Sequence, residues 1–341
     1  MSAIARPSRP LISAVMPTFN RAELLSQSLE SLARQTLSPS EYEVIVVDDG
    51  STDETADVCK RFMPRLRLHY AAIAKSGNSA AKNLGLFLSE APITLFFDDD
   101  DVADAALLRK HLDAHAQHPD EKVAILGYTT WDPHLEITPV MEYVTEIGQL
   151  LFAYHNIADG QQLDWTYFWA GRSSCKRRFL TRHGIFDQDF PPIIEDIELA
   201  YRLSKHGLRV VHRREASSFM ARPITFQGFC QRCLRQGQAL KRFSAIHPEQ
   251  EVQDYCRVAG AAERWTEVEQ HVPSMVGRAQ ELEATLTDSS AQSRDHVLTE
   301  LRELYRLSFE AFRLKGIVGP FVPRTGAAVA SGSTIAIDAA T

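Results

Sequence analysis

The chain has 341 residues with 37 Lys+Arg against 44 Asp+Glu, a formal charge of −7, and a hydrophobic share of 44% that is ordinary for a globular protein. At roughly 100–200 residues per domain it has room for one large or two smaller domains, and for a core that needs no disulfide or metal staple. The mild acidity excludes the electrostatic footprint of a nucleic-acid partner. The opening MSAIARPSRPLISAV has no signal-peptide apolar run, the five cysteines are scattered, and a soluble cytoplasmic protein is expected.

The first hundred residues alternate strand and helix signals. Leu11–Met16 reads as a buried strand, after which Asn20, with Glu23 three residues on, predicts a capped helix whose apolar face is Leu24, Leu25, Leu29 and Leu32. Glu43–Val47 is the next strand, and Ser51 with Glu54 predicts a second capping box opening a helix over Thr52–Phe62. A strand over Leu66–Ala71, a helix over Ser79–Leu88 and a buried strand over Ile93–Phe97 follow. This alternation predicts a mostly parallel central sheet with helices on both faces.

Beyond Asp101 a helix is predicted at Ala105–His118 and a strand at Val123–Tyr128, before an irregular aromatic-rich stretch over Thr129–Phe168. Helices are expected at Cys175–His183 and Ile197–His206, then a strand at Arg209–His212. From Phe226 to Leu314 the pattern is helical. The predicted divisions are a flexible terminus over 1–10, an α/β domain over 11–225, a helical region over 226–315 and a disordered tail over 316–341.

Ligands of open α/β sheets bind beyond the carboxyl ends of the strands. Those ends here read Pro17-Thr18-Phe19-Asn20-Arg21, Asp48-Asp49-Gly50-Ser51 and Asp98-Asp99-Asp100-Asp101, so acidic groups converge on one rim. Four successive carboxylates raise one another's pKa, and a hard cation such as Mg²⁺ or Mn²⁺ would relieve that. The run alone is equally compatible with a solvated acidic turn.

Residues 12–21 (ISAVMPTFNR), 44–55 (VIVVDDGSTDET), 77–85 (GNSAAKNLG) and 93–101 (ITLFFDDDD) stand in the order and spacing of family 2 glycosyltransferases. Gly184-Ile185-Phe186-Asp187 resembles that family's GGFD turn, and Glu195–Leu203 its ED-x-(D/E)-L-x-x-R-L segment, so the resemblance covers about residues 10–240. It implies a GT-A fold and transfer of a single sugar from a nucleotide-diphosphate sugar, most simply a UDP-sugar, with inversion. It assigns Pro17, Thr18, Asn20, Arg21, Asp49, Lys82, Asp98 and Asp99 to the donor, Asp100 to a divalent metal (Mn²⁺ or Mg²⁺), and Asp196 to the general base. Trp165, Tyr167, Trp169 and Glu195 are the acceptor candidates. The acceptor is expected to be a glycan, a lipid-linked compound or a small molecule.

Simpler roles stand beside these. Asp48 is expected to satisfy backbone N–H groups of its turn, Glu195 to orient Asp196 or pair with Arg202, and Asp196 would also serve as an N-terminal helix charge. Cys230 and Cys233 have zinc-like spacing without a second ligand pair and are read as buried thiols. Two departures from the family are visible. Where relatives carry a metal-ligating His after the last sheet strand, the stretch Ala216–Arg222 has none, although His212 is near, and Arg172 stands where relatives often have Asn. Gln-x-x-Arg-Trp is missing, which predicts single additions.

The basic helix Phe226–Phe243, with Arg232, Arg235, Lys241 and Arg242, could close over a diphosphate or present a solvated face. Arg278–Leu314 reads as an amphipathic helical pair packed on the domain, with homodimerisation as the alternative; a peripheral membrane contact is also left open. Two other functions fit parts of the sequence. Phe96–Val102 also fits the start of a haloacid-dehalogenase-type phosphatase, which leaves the other motifs unexplained, and a non-catalytic nucleotide-sugar-binding scaffold would not need Asp49, Asp100 and Asp196 together.

Overall fold

A computed structural model describes residues 9–286 and 291–320. Four apolar runs form the parallel half of the sheet: β1 (Ile12–Thr18), β2 (Tyr42–Asp48), β3 (Leu68–Ala72) and β4 (Ile93–Phe96), in the spatial order β3-β2-β1-β4. β2 is buried along its whole length, as a parallel strand covered on both faces should be. The crossovers are α1 (Ala22–Ala33), α2 (Thr55–Phe62) and α3 (Asn78–Leu88). Register pairs Val15 with Ile45 and Phe96, which brings the carboxyl ends of β1, β2 and β4 level at one rim.

Beyond β4 the sheet is mixed, which narrows the mostly parallel expectation to this first half. β5 (Asp101–Ala103), α4 (Leu107–Gln117), β6 (Val123–Trp131), α5 (Pro139–Glu142), β7 (Gln162–Leu163), β8 (Ser173–Lys176), α6 (Arg177–His183), α7 (Glu195–Ser204) and β9 (Arg209–Met220) follow. β8 inserts antiparallel between β4 and β6, β9 runs parallel to β6, and β5 and β7 pair antiparallel with β9. Cys175, expected in a helix, lies in β8, because Ser173, Ser174 and Cys175 are all buried in the sheet interior. β9 runs eight residues past the expected His212, so its end at Met220 reaches the acidic rim: Met220 pairs with Asp101.

The two predicted capping boxes do not form. Asn20 takes a left-handed conformation (φ 49°), its N–H donates to Ser51 Oγ (2.8 Å), and its Oδ1 accepts from Thr52 N (2.8 Å). Asp53 takes over both ends: Oδ2 accepts from Ala22 N (2.9 Å) at the start of α1, and Oδ1 from Thr55 N (3.1 Å) at the start of α2. One carboxylate thus ties the loops after β1 and β2 together.

The C-terminal region is helical: α8 (Phe226–Ile246), α9 (Gln250–Cys256), α10 (Ala261–Val268), α11 (Val272–Thr285) and α12 (Ala291–Val318). Thr225 Oγ1 accepts from Gly228 N (3.1 Å) and caps α8. The helices share one core with the sheet, in which Phe226, Phe229 and Phe243 of α8 meet Tyr305 and Phe309 of α12 and the sheet residues Phe96 and Leu126. α8 and α12 touch backbone to backbone: a Cβ on Gly237 would lie 2.0 Å from Arg313 O, and one on Gly316 would lie 2.0 Å from Leu234 O. α12 runs to Val318, past the expected tail start at 316, and Pro10 is buried with Arg9 donating to Glu90 O (3.0 Å), so ordered chain begins before residue 11. Residues 321–341 of the predicted tail and 1–8 of the predicted terminus lie outside the described residues. All five cysteines are buried and free, Cys230 and Cys233 among them. No described helix is long and apolar enough to cross a membrane.

Candidate active site

The rim is built on the chain that leaves β4. Asp99 turns inward, accepting from Thr18 Oγ1 (2.7 Å) and from Arg21 Nη1 (2.7 Å). Burial raises its pKa to about 6, and Arg21 limits the rise. Asp101 also points inward, where its Oδ2 accepts from Ser218 Oγ (2.9 Å) while Oδ1 has no partner; burial raises it to about 7 against the opposing charge of Arg172. The Ser28 hydroxyl holds the intervening backbone, 2.6 Å from Asp101 O and 2.9 Å from Asp99 O. Asp98 keeps a side chain 36% exposed at the mouth of the site, with Arg172 Nη2 3.5 Å away.

Asp100 is the residue the resemblance places on a metal. Its Oδ2 accepts from Arg222 Nε (2.6 Å) and lies 3.3 Å from Arg21 Nη1. Burial would raise this carboxyl, but Arg222 and Arg21 outweigh it and hold the group below the usual value. Arg222 was not among the expected site residues. The signal was there, since it is the one basic residue in the stretch Ala216–Arg222 that lacks the family's His. His212 does not substitute: it is buried, stacks on Tyr154, and its Nδ1 lies 3.2 Å from Leu126 O.

Arg172, noted as a departure from Asn, gathers the same cluster from the other side. Its Nε donates to Thr129 Oγ1 (2.9 Å), its guanidinium lies 5.0 Å from the Phe152 ring centroid, and Nη2 is 3.8 Å from Asp101. It ends a short 3₁₀ turn, Ala170–Arg172, in which Gly171 presses against Asp98: a Cβ there would lie 1.9 Å from Oδ2. The N–H of Ala170 in the same turn donates to Asp196 Oδ2 (2.9 Å).

Asp196 sits in the first turn of α7, with Oδ1 accepting from Ile197 N (2.9 Å). Burial and then the charge of Glu195 raise it to about 6, with Lys82 opposing. Glu195 does not pair with Arg202, which bonds Glu198 instead (2.7 Å). It accepts from Lys82 Nζ (3.0 Å), Asn78 Nδ2 (2.7 Å) and Ile193 N (2.8 Å). Lys82, expected at the donor, is buried and engaged behind Asp196. Ile193 adopts φ 98°, a strained conformation for a β-branched residue, two residues before Glu195.

Asp49 accepts from Ser76 N (2.6 Å) and Gly77 N (2.8 Å), so it shapes the turn before α3, where Gly77 needs φ 94°. Asp48 accepts from Ser51 N (2.8 Å) and from Tyr70 Oη (2.7 Å). Pro17 is half-buried at the rim and Asn20 is exposed. Trp165, expected at the acceptor, is buried edge-on to Tyr201 (5.2 Å), whereas Tyr167 and Trp169 are half-buried with ring centroids 5.7 Å apart.

Arg232 of α8 has no hydrogen bond or ion pair among the described residues. Burial pulls its pKa below the usual arginine value, Cys233 and Asp196 oppose, and Arg172 and Arg222 add to the depression. Among the described residues no group of three His, Cys, Asp or Glu side chains gathers to hold a metal.

Comparison with known proteins identifies the family. The chain matches Glycosyl transferase family 2 over residues 13–172 and Glycosyl transferase family group 2 over residues 93–264. It is 36% identical over 229 residues to the validoxylamine A glucosyltransferase of Streptomyces hygroscopicus subsp. limoneus, covering 61% of this chain and 51% of that protein. It therefore spans about half the length of that relative. In fold it resembles the mannosyltransferase PcManGT of Pyrobaculum calidifontis, solved with GDP-Man and Mn²⁺ (TM-score 0.56, 19% identity, 90% of this chain and 87% of that one). It also resembles S. aureus TarS 1-349 solved with UDP (TM-score 0.53, 16% identity, 89% and 91%). The chain belongs to glycosyl transferase family 2.

Proposed function

We propose that this protein transfers a single sugar from a nucleotide-diphosphate sugar to an acceptor hydroxyl, with inversion, and that Asp196 is the general base. The observation that carries the reading is the 3₁₀ turn Ala170–Arg172. It seats Asp196 through Ala170 N and abuts Asp98 through Gly171, so base and donor-side carboxylate are held by one piece of backbone. The acceptor oxygen attacks the anomeric carbon while its proton passes to Asp196. The bond from that carbon to the phosphate oxygen breaks, and its electron pair leaves with the nucleoside diphosphate. A carboxyl with a pKa of about 6 is ionised near neutrality yet more basic than an ordinary aspartate.

A UDP-sugar is the favoured donor, supported by the UDP bound to TarS 1-349. The half-buried rings of Tyr167 and Trp169 are assigned to the acceptor, because sugars and apolar aglycones pack on aromatic faces. A divalent cation would take Asp98 and Asp100 as protein ligands. The donor set fits it poorly, because Asp100 Oδ2 is already shared by Arg222 and Arg21 and no histidine stands beside it.

Asp196→Asn tests the base. Release of nucleoside diphosphate from a UDP-sugar panel is expected to fall by about 10²–10⁴, while donor-induced thermal stabilisation is retained. A variant that still turns over at the parent rate refutes the assignment. A parent with neither turnover nor stabilisation by any nucleoside diphosphate refutes the transferase reading.

A further inference from the structure

We infer that Arg222 and Arg232 neutralise the donor's diphosphate in place of a divalent cation, so that this chain binds its donor without metal. The inference rests on the nucleotide-sugar reading above and departs from the metal that the family resemblance implies.

Arg222 occupies the position a metal would need. Its Nε lies 2.6 Å from Asp100 Oδ2, and Arg21 approaches the same oxygen from another side at 3.3 Å. A cation can reach that oxygen only by displacing the guanidinium from a buried carboxylate and entering beside the charges of Arg21, Arg172 and Arg222, which repel it. The rest of the Arg222 head is open: its terminal nitrogens have no partner among the described residues, and its side chain is 42% exposed at the rim. A guanidinium presents five donors in a rigid planar fork. With Nε on a carboxylate, the remaining edge is free for two phosphate oxygens, so Arg222 can bridge Asp100 to a diphosphate as a metal would.

Arg232 is the independent observation. It belongs to α8, is half-buried, and has no counter-ion or acceptor among the described residues. Arg172 and Arg222 surround it with like charge, and the nearest opposing carboxylate in its field is Asp196. A half-buried cation among like charges with no partner of its own is placed to receive an anion. The leaving diphosphate is such an anion, since it must lie between the rim and the carboxylate that takes the acceptor proton.

The test is titration calorimetry of the full chain with UDP, GDP and UMP, in EDTA and again in Mn²⁺. Metal-free binding of UDP or GDP is expected, with a dissociation constant that changes less than about threefold on adding Mn²⁺. An affinity that rises by more than this with Mn²⁺ overturns the inference and leaves the transferase reading intact. No binding under either condition sinks both. In EDTA, Arg222→Gln is expected to weaken the diphosphate about tenfold or more and UMP far less; equal losses for both, or no loss, would overturn the role of Arg222. Arg232→Gln is expected to unfold at the parent temperature or above it without ligand, yet to lose most of the stabilisation by diphosphate. A variant that melts several degrees lower, or keeps the full stabilisation, shows Arg232 to be a packing residue.

Discussion

Replacing Gly171 with Ala places one methyl group where donor and base meet. The new Cβ would lie 1.9 Å from Asp98 Oδ2, 2.4 Å from Cγ and 2.7 Å from Oδ1. An ordinary carbon–oxygen contact is near 3.3 Å, so carboxylate or turn must move by roughly 1–1.5 Å. Asp98 is the softer partner, because its side chain is 36% exposed and can rotate into water. The turn is the stiffer one, since Ala170 N holds Asp196 at 2.9 Å and Arg172 Nε holds Thr129 at 2.9 Å. The fold should therefore lose little, at or below the 1–3 kcal/mol typical of overpacking, about 2–4 °C in melting temperature per kcal/mol. Activity should lose more, because a displacement of about 1 Å at a reacting centre costs on the order of 10²-fold. The assay is nucleoside diphosphate release with melting temperature measured on the same preparation. Turnover and donor affinity both within about threefold of the parent, in a folded variant, would refute the reasoning.

The acid side of the rate profile should report Asp196. Its folded pKa is raised to about 6, so the ionised base is lost as pH falls through 6, and the rate should drop tenfold per unit below that; a limb near pH 4, or none, contradicts the assignment. Lys82→Met leaves Glu195 buried without its cation and should destabilise by about 3–5 kcal/mol in denaturant unfolding, most of which Lys82→Met combined with Glu195→Gln should restore. If the Lys82 variant folds well enough to assay, its acid limb should lie above pH 6, because the charge that opposes the rise in Asp196 is gone; a limb that stays in place would separate Lys82 from the base.

The parallel half of the fold is legible because its strands are apolar runs and its helices carry period-3.6 faces, signals that survive without neighbours. The caps were misread for the opposite reason. Asn20 and Ser51 have the right residue types at the right spacing, but the two loops pack against each other, and Asp53 reaches both helix starts across that contact. β8 is hidden because Ser173-Ser174-Cys175 has no apolar period, yet the Ser174 hydroxyl is placed by partners remote in sequence, 2.8 Å from ring nitrogens of both His111 and His115. The burial of Trp165 is not legible in sequence, since an aromatic residue in an irregular stretch looks the same whether it faces ligand or core.

The four aspartates show how far such reading reaches. Sequence presents them as equivalent, and their mutual repulsion suggests a cation without saying which. Folding divides them by the direction of the chain: Asp99 and Asp101 accept from Thr18 and Ser218, Asp100 is buried against Arg222, and Asp98 alone keeps an exposed side chain. The counter-charges come from three distant places, Arg21 after β1, Arg172 before β8 and Arg222 after β9, and none lies within 70 residues of the run. Arg222 joins the other two because β9 extends to Met220 and pairs with β5, so that the residue two past the strand lands on Asp100. The length of β9 therefore decides the chemistry of the rim. Because β9 ends at Met220, Arg222 lands 2.6 Å from an Asp100 oxygen that Arg21 already approaches at 3.3 Å from the loop after β1.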